Sequence, residues 1–225
     1  MTGQPWEEGK WASGHVAEDN KNAGCFMVGF TLFWNAISWG VALPIVFMDD
    51  DSAGRYFVLL FPLVGLLLLA VTVRILLRRR RYGSPEFVLA TRPGVVGRAL
   101  AGEIRVERGL EPERDIRLHL KCVRVVTTGG GKSRSVTTTV LWEAERQLPG
   151  ALAEGAGVRI PVAFAIPEDA QPTDDTNSRD VVRWDLEARA VVPGIDFAVT
   201  FEVPVFVTPE SATPLTEDER RRLMA

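Results

Sequence analysis

Two long apolar runs, separated by only seven residues, constrain this chain more than any other feature. Residues 25–48 contain no Asp, Glu, Lys or Arg, and residues 56–77 contain a single charge, Arg74. A helix needs about 20 such residues to cross the roughly 30 Å of a bilayer's hydrocarbon core, and both runs are that long. Runs of this length exceed what a small globular domain can cover, so they are expected to lie in lipid. Arg74 falls near the far end of its run, where a long side chain reaches the headgroups. The connector, residues 49–55, begins with Asp49, Asp50 and Asp51 and is short enough to force an antiparallel hairpin. Arg78, Arg79, Arg80 and Arg81 follow the second run. The Lys/Arg bias of short flanking loops makes them topology determinants: that end is expected in the cytoplasm, with the acidic turn outside and both termini inside.

The composition excludes some classes. Twenty-six Lys and Arg against 29 Asp and Glu give a net charge of −3, which leaves no broad basic surface to neutralise phosphates, so no nucleic-acid partner is expected. The first 24 residues carry Glu7, Glu8, Glu18 and Asp19 and do not read as an export signal. One cysteine, Cys25, lies in an apolar run and the other, Cys122, at an inward strand position, so a disulfide between them is not expected.

Asn35 and Ser38 fall one helical turn apart inside the first run, where an unpaired amide in lipid is costly. They are expected to make intramembrane polar contacts with another helix, and the alternative is a substrate or ion path. Pro44, Pro62 and Gly65 permit a kink or a close approach. Trp6 and Trp11 read as membrane-interface anchors, with packing on the downstream domain as the alternative.

From residue 84 the pattern changes to alternation. Trp184, Leu186, Ala188 and Ala190 alternate with Arg183, Asp185, Glu187 and Arg189, which hides one face of a strand and solvates the other. Similar rows occur in residues 116–122, 158–166 and 197–205; residues 87–91, 100–107 and 136–144 bring the number to about seven strands with no convincing helix between them. The expected fold class is a membrane α-helical hairpin plus an all-β, antiparallel immunoglobulin/arrestin-like β-sandwich. The expected division is a cytoplasmic N-terminal segment, 1–24; transmembrane helices, 25–48 and 56–77; an external turn, 49–55; a cytoplasmic β-sandwich, 84–208; and a C-terminal tail, 209–225. In that tail Thr216 and Glu219 fit a capping box for a short helix.

Pro93, Gly94, Val95, Val96 and Gly97 followed by Leu100, Ala101, Gly102, Glu103 and Ile104 resemble the early strands of arrestin-like domains. So do residues 160–169, with Pro161 and Pro167, followed by an acidic loop, by a strand centred on Trp184, and by a closing segment containing Val203, Pro204, Val205 and Phe206. The order of parts, with Pro5 and Trp6, then Trp11, Ala12, Ser13 and Gly14, then the Asn35 region, resembles a set of bacterial inner-membrane proteins of unknown function. Such proteins often carry a further N-terminal membrane and periplasmic portion, and this sequence starts without it.

Three catalytic or ligand motifs are weak. Gly131, Lys132 and Ser133 suggest a phosphate loop, but the position that must hold its first glycine is Val126, and the residues that follow favour a strand over the helix that would bind phosphate. Residues 173–180 are rich in oxygen donors yet lack the glycine and distal glutamate of a calcium loop, and Arg179 opposes a cation. His15 and His119 have no nucleophile motif beside them. No enzyme activity, cofactor or metal is therefore expected. The expected role is a membrane-anchored protein-interaction or scaffold module, whose partners are the lipid bilayer and a protein, or a second copy through the helices or sandwich edge. The alternative is an oligomeric transporter or channel subunit.

Overall fold

Alternating residues can be buried only if a second layer covers the apolar face of each strand, and the chain does this with two facing antiparallel sheets. The computed structural model describes residues 6–7, 9–18, 23–48, 53–108, 110, 115–149, 153–154 and 157–224. Asp49, Asp50, Asp51 and Ser52 of the connector, with Pro5, Glu8, Asp19 and Ala225, lie outside the described residues. The chain forms two units, Asn20–Arg81 on its own and Met1–Asp19 together with Tyr82–Ala225.

In chain order the elements are β1 (His15–Ala17), α1 (Ala23–Met48), α2 (Leu60–Tyr82), β2 (Glu86–Leu89), β3 (Gly94–Val95), β4 (Ala99–Val106), β5 (Ile116–Thr128), β6 (Ser135–Leu148), β7 (Ala153–Glu154), β8 (Gly157–Ala165), β9 (Asp174–Asn177), β10 (Asp180–Ala190), β11 (Phe197–Val203), β12 (Val205–Phe206) and α3 (Glu217–Met224). A 3₁₀ turn, Ala53–Leu59, leads into α2.

Two stretches, Phe26–Phe47 and Tyr56–Tyr82, are long and apolar enough to cross a membrane. Their packing inverts that of a water-soluble protein. Phe26, Phe33, Phe47, Phe57 and Leu67 point outward, whereas the buried positions include Thr31, Ser38, Ala42 and Thr72. Small and polar residues at a helix contact let the backbones approach closely and exchange hydrogen bonds.

One sheet has the order β1-β2-β4-β8-β7 and the other β11-β10-β5-β6, with β9 also paired to β10; β3 and β12 form a small parallel pair. Trp184, Phe87, Phe201, Leu120 and Ile160 are fully buried between the sheets. All seven strands read from the sequence are present, as β2, β4, β5, β6, β8, β10 and β11. The expectation of about seven is low because β1, β3, β7, β9 and β12 have only two to four residues each, too few for alternation to register. Gly102 is needed inside β4: a Cβ there would lie 2.4 Å from the Val88 carbonyl oxygen and 2.7 Å from the Phe87 ring.

The N-terminal segment belongs to the sandwich. β1 pairs antiparallel with β2, Val16 opposite Phe87, although the whole helical hairpin separates them in sequence. Trp11, expected at a membrane interface, is instead buried in this unit's core, and its indole N–H donates to the Glu202 carbonyl at 3.1 Å. Trp6 and Trp11 both pack on Phe206, with ring centroids 5.1 and 5.8 Å away. Lys10 sits 4.5 Å over the Trp11 ring and pairs with Glu202 at 2.7 Å. An aromatic ring with one polar edge suits a domain rim as well as a headgroup layer, and here Phe206 supplies the apolar surface.

Gly102→Ala is expected to destabilise the sandwich by about 1–3 kcal/mol, because the new methyl overlaps the Val88 carbonyl oxygen, which the ladder holds in place, and the buried Phe87 ring. Thermal melts followed by tryptophan near-ultraviolet dichroism measure it. An unchanged midpoint would show that β2 and β4 are not packed as described.

Candidate interaction edge

The hairpin of β5 and β6 forms one margin of its sheet, and its turn runs past the end of β10, which pairs with β5 as far as Val126. At its base, Leu118, Leu120 and Cys122 point into the core, and Trp142 packs on Trp184 with centroids 5.4 Å apart. The ladder then shifts: Cys122 pairs with Trp142 but Val123 with Val140, so Leu141 is an extra residue on β6. Such a bulge twists and redirects a strand. Beyond it pairing continues from Val123 with Val140 to Thr128 with Ser135, and residues 135–141 are exposed on both faces. The result is an arm in which β10 still lies beside β5 as far as Val126, opposite Asp180, and β6 is the outer strand.

At the tip, Gly129 has φ +77°, and a Cβ there would lie 2.3 Å from the Ser133 carbonyl oxygen, so the turn requires glycine. Gly131–Ser133 form one 3₁₀ turn that leads into β6, and the phosphate-loop geometry, a strand feeding a helix N-terminus, does not form. The arm is braced by Arg124, whose Nε and Nη2 donate to the two Asp180 carboxylate oxygens at 2.7 and 2.6 Å. A bidentate pair of this kind fixes direction as well as distance. The hydrogen bond from Arg124 holds the Asp180 carboxyl below the usual range.

The acidic loop spends its oxygens on its own turn. Asp174 accepts from the Thr176 hydroxyl at 2.7 Å and its N–H at 3.1 Å, which lowers the Asp174 pKa; Asn177 accepts from the Arg179 N–H at 3.0 Å. Among the described residues no three His, Cys, Asp or Glu side chains gather as a metal site. His15 contacts Glu86 at 3.1 Å and His119 contacts Glu143 at 3.0 Å, each an exposed pair across neighbouring strands. An open groove of about 640 Å³ lies among Trp6, Arg92, Arg98 and Glu210, and Arg98 there donates to the Thr213 carbonyl at 2.6 Å. These arrangements build turns and strand faces rather than a nucleophile beside a base.

The edges differ. The outer edge of β6 has no strand partner among the described residues. The edge of β8 carries β7 at one end, and Arg146 of β6 donates both to the Ala163 carbonyl of β8 at 2.7 Å and to the Leu223 carbonyl of α3 at 3.1 Å. Thr216 and Glu219 cap α3 reciprocally, the Thr216 N–H donating to Glu219 at 2.9 Å and the Glu219 N–H to the Thr216 hydroxyl at 3.3 Å. Along β11, Trp11 and Lys10 both reach Glu202.

Within the hairpin, the Asn35 amide donates to the Thr31 carbonyl at 2.8 Å and to the Gly65 carbonyl of α2 at 3.0 Å. Both amide hydrogens are thereby used in joining α1 to α2. Gly65 is a contact point, since a Cβ there would lie 2.6 Å from Asn35 Oδ1. Ser38 is buried on the same face. The hydroxyls of Thr31 and Thr72 meet at 2.7 Å, a pair the sequence reading missed; the 4-3-4 spacing of Thr31, Asn35, Ser38 and Ala42 was the signal that could have found it. Arg78 and, in the last turn, Arg79, Arg80 and Arg81 lie at the C-terminal end of α2, and the Arg79 guanidinium lies where a side chain at Gly24 of α1 would be.

Asn35→Leu is expected to weaken the hairpin by about 0.5–2 kcal/mol, because it removes the interhelical hydrogen bond to the Gly65 carbonyl and overfills the contact; steric-trap or forced-unfolding measurements in a bilayer read it. Cys122 gives a second expectation. Burial, and then the nearby Asp185 carboxylate, push its thiol from 9.0 to about 11. The fold retains that proton longer than the unfolded chain does, so this contribution is complete below pH 9.0 and is lost as pH rises towards 11. Alkylation of Cys122 at pH 8 should therefore follow unfolding, and labelling of the native protein at the rate of a free peptide thiol would contradict its burial.

No family model matches the chain, and no curated protein matches it. Among solved structures it is similar to Spo0M, a sporulation control protein from Bacillus subtilis, at 16% identity and a TM-score of 0.37, over 57% of this chain and 51% of that one. The chain thus spans about half the length of that protein.

Proposed function

We propose that this protein is a membrane-anchored interaction module, in which the helical hairpin holds a cytoplasmic β-sandwich at a bacterial inner membrane and the β5–β6 arm recruits a protein partner. The observation that carries this reading is the arm itself. A strand exposed on both faces, with an unpaired outer edge, offers main-chain donors and acceptors to an added strand. Val136 and Val140, 54% and 51% exposed, give that surface an apolar component.

Membrane anchoring is supported by the hairpin's outward-facing Phe and Leu side chains and its buried hydroxyls, a distribution suited to lipid and unfavourable in water. Sidedness is supported by two features. The pairing of β1 with β2 requires the chain to return to the side it left, as two crossings do. The four arginines ending α2 favour the cytoplasm for that side.

Reporter fusions after Ala225 and within residues 49–55 should report opposite sides, the first cytoplasmic; the reverse would overturn the localisation. Affinity capture of the full chain from native membranes should recover a protein in stoichiometric amount. Replacing residues 127–136 by an Asn-Gly turn should reduce that recovery at least tenfold. Recovery that is indifferent to the arm would remove this reading.

A further inference from the structure

The recruiting-module reading leaves the partner's identity open, and the arm carries information about it. Residues directly opposed in an antiparallel ladder share a face. Lys121, Val123, Val125 and Thr127 alternate along one face of β5, and their partners on β6 are Glu143, Val140, Thr138 and Val136. Arg134, exposed and extended just before β6, continues this row by alternation. The bulge at Leu141 is what brings Glu143 into it; unbroken alternation would put Glu143 on the face opposite Val140. From tip to base the row reads Arg134, Val136, Thr138, Val140, Glu143.

We infer that the strand taken up by the free edge of β6 is β6 of a second copy of this chain, paired antiparallel about Thr138. The row is complementary to its own reverse. A copy turned end for end sets Arg134 beside Glu143, Val136 beside Val140, Thr138 beside Thr138, and repeats the first two contacts on the other side of the axis. Parallel pairing would bring arginine to arginine and glutamate to glutamate. On the opposite face Thr137 meets Thr139 of the other copy, and residues 135–142 contain no charge and no proline, the two devices that most often blunt an edge. Glu143 also contacts His119 at 3.0 Å, and a carboxylate has acceptor capacity for an arginine besides. Pairing of one surface with itself about a twofold axis is the commonest form of assembly. This inference rests on the proposed function only in taking the arm as the recruiting surface.

The test uses the full chain in detergent micelles, with Cys25→Ser and Cys122→Ala as background. Under mild oxidation Thr138→Cys should form an interchain disulfide, since the axis places the two residues opposite each other at a separation a disulfide spans. Val136→Cys alone should crosslink at least tenfold less, and should recover when mixed with a Val140→Cys chain. Arg134→Glu and Glu143→Arg should each weaken self-association about tenfold, since each sets like charges opposite twice, and the double variant should return to within about twofold of the parent. Light scattering reads the association, and unchanged near-ultraviolet dichroism shows that each variant is folded. Equal crosslinking at positions 136 and 138, or a double variant no better than the singles, overturns the inference. A monomeric chain whose arm still captures a different protein overturns it too, while leaving the recruiting-module reading in place. Loss of all arm-dependent capture would instead remove that reading.

Discussion

The three residue pairs that join β1 to β2 hold the two parts of the chain to one plan. Between them lies the whole helical hairpin, so the sandwich is not an appendage hung from the second helix: it is closed by chain from both ends. Short strands contribute little by themselves. β1 is secured by side chains, with Trp11 buried and bonded to Glu202 and with Trp6 and Trp11 on Phe206. The hydrogen-bond ladder gives direction, and the aromatic burial supplies most of the free energy.

The hairpin answers a different constraint. Where the surroundings are as apolar as the side chains, burying a leucine against another helix gains little, and what holds helices together is close approach and hydrogen bonding. Asn35, Gly65, Thr31 and Thr72 do this in a few ångströms of contact. Asn35 ties α1 to α2 through a main-chain acceptor, the Gly65 carbonyl.

Much of the fold was legible because two periodicities are so distinct. Apolar runs longer than 20 residues with at most one charge and strict alternation in residues 183–190 can hardly be read otherwise. The short strands were not legible, because a two-residue strand such as β12 exists only through its partner, β3. Trp11 reads as an interface anchor, with a domain contact as the alternative, because the sequence shows an amphipathic ring but not the Phe206 that receives it. The arm was hardest to see. Val136, Thr137, Thr138, Thr139 and Val140 have high strand propensity whether or not anything covers them, and the bulge at Leu141 emerges only from the register of β5 against β6. The same bulge decides which side chains share a face, so the most informative part of the candidate site was the part that spacing alone could not give.

The treatment of the remaining edges has its own consequence. α3 lies by β8, held there in part by Arg146, and Lys10 and Trp11 lie along β11. Among the described residues β6, at 14 residues, is the longest strand with no strand on its outer side. A sheet open at two margins grows without limit, each added unit presenting a fresh place for the next. Here, were a strand to join β6, the margins left would be shorter, β11 at seven residues and β8 with β7 at one end, so continuation would have less ladder to gain than the first step had.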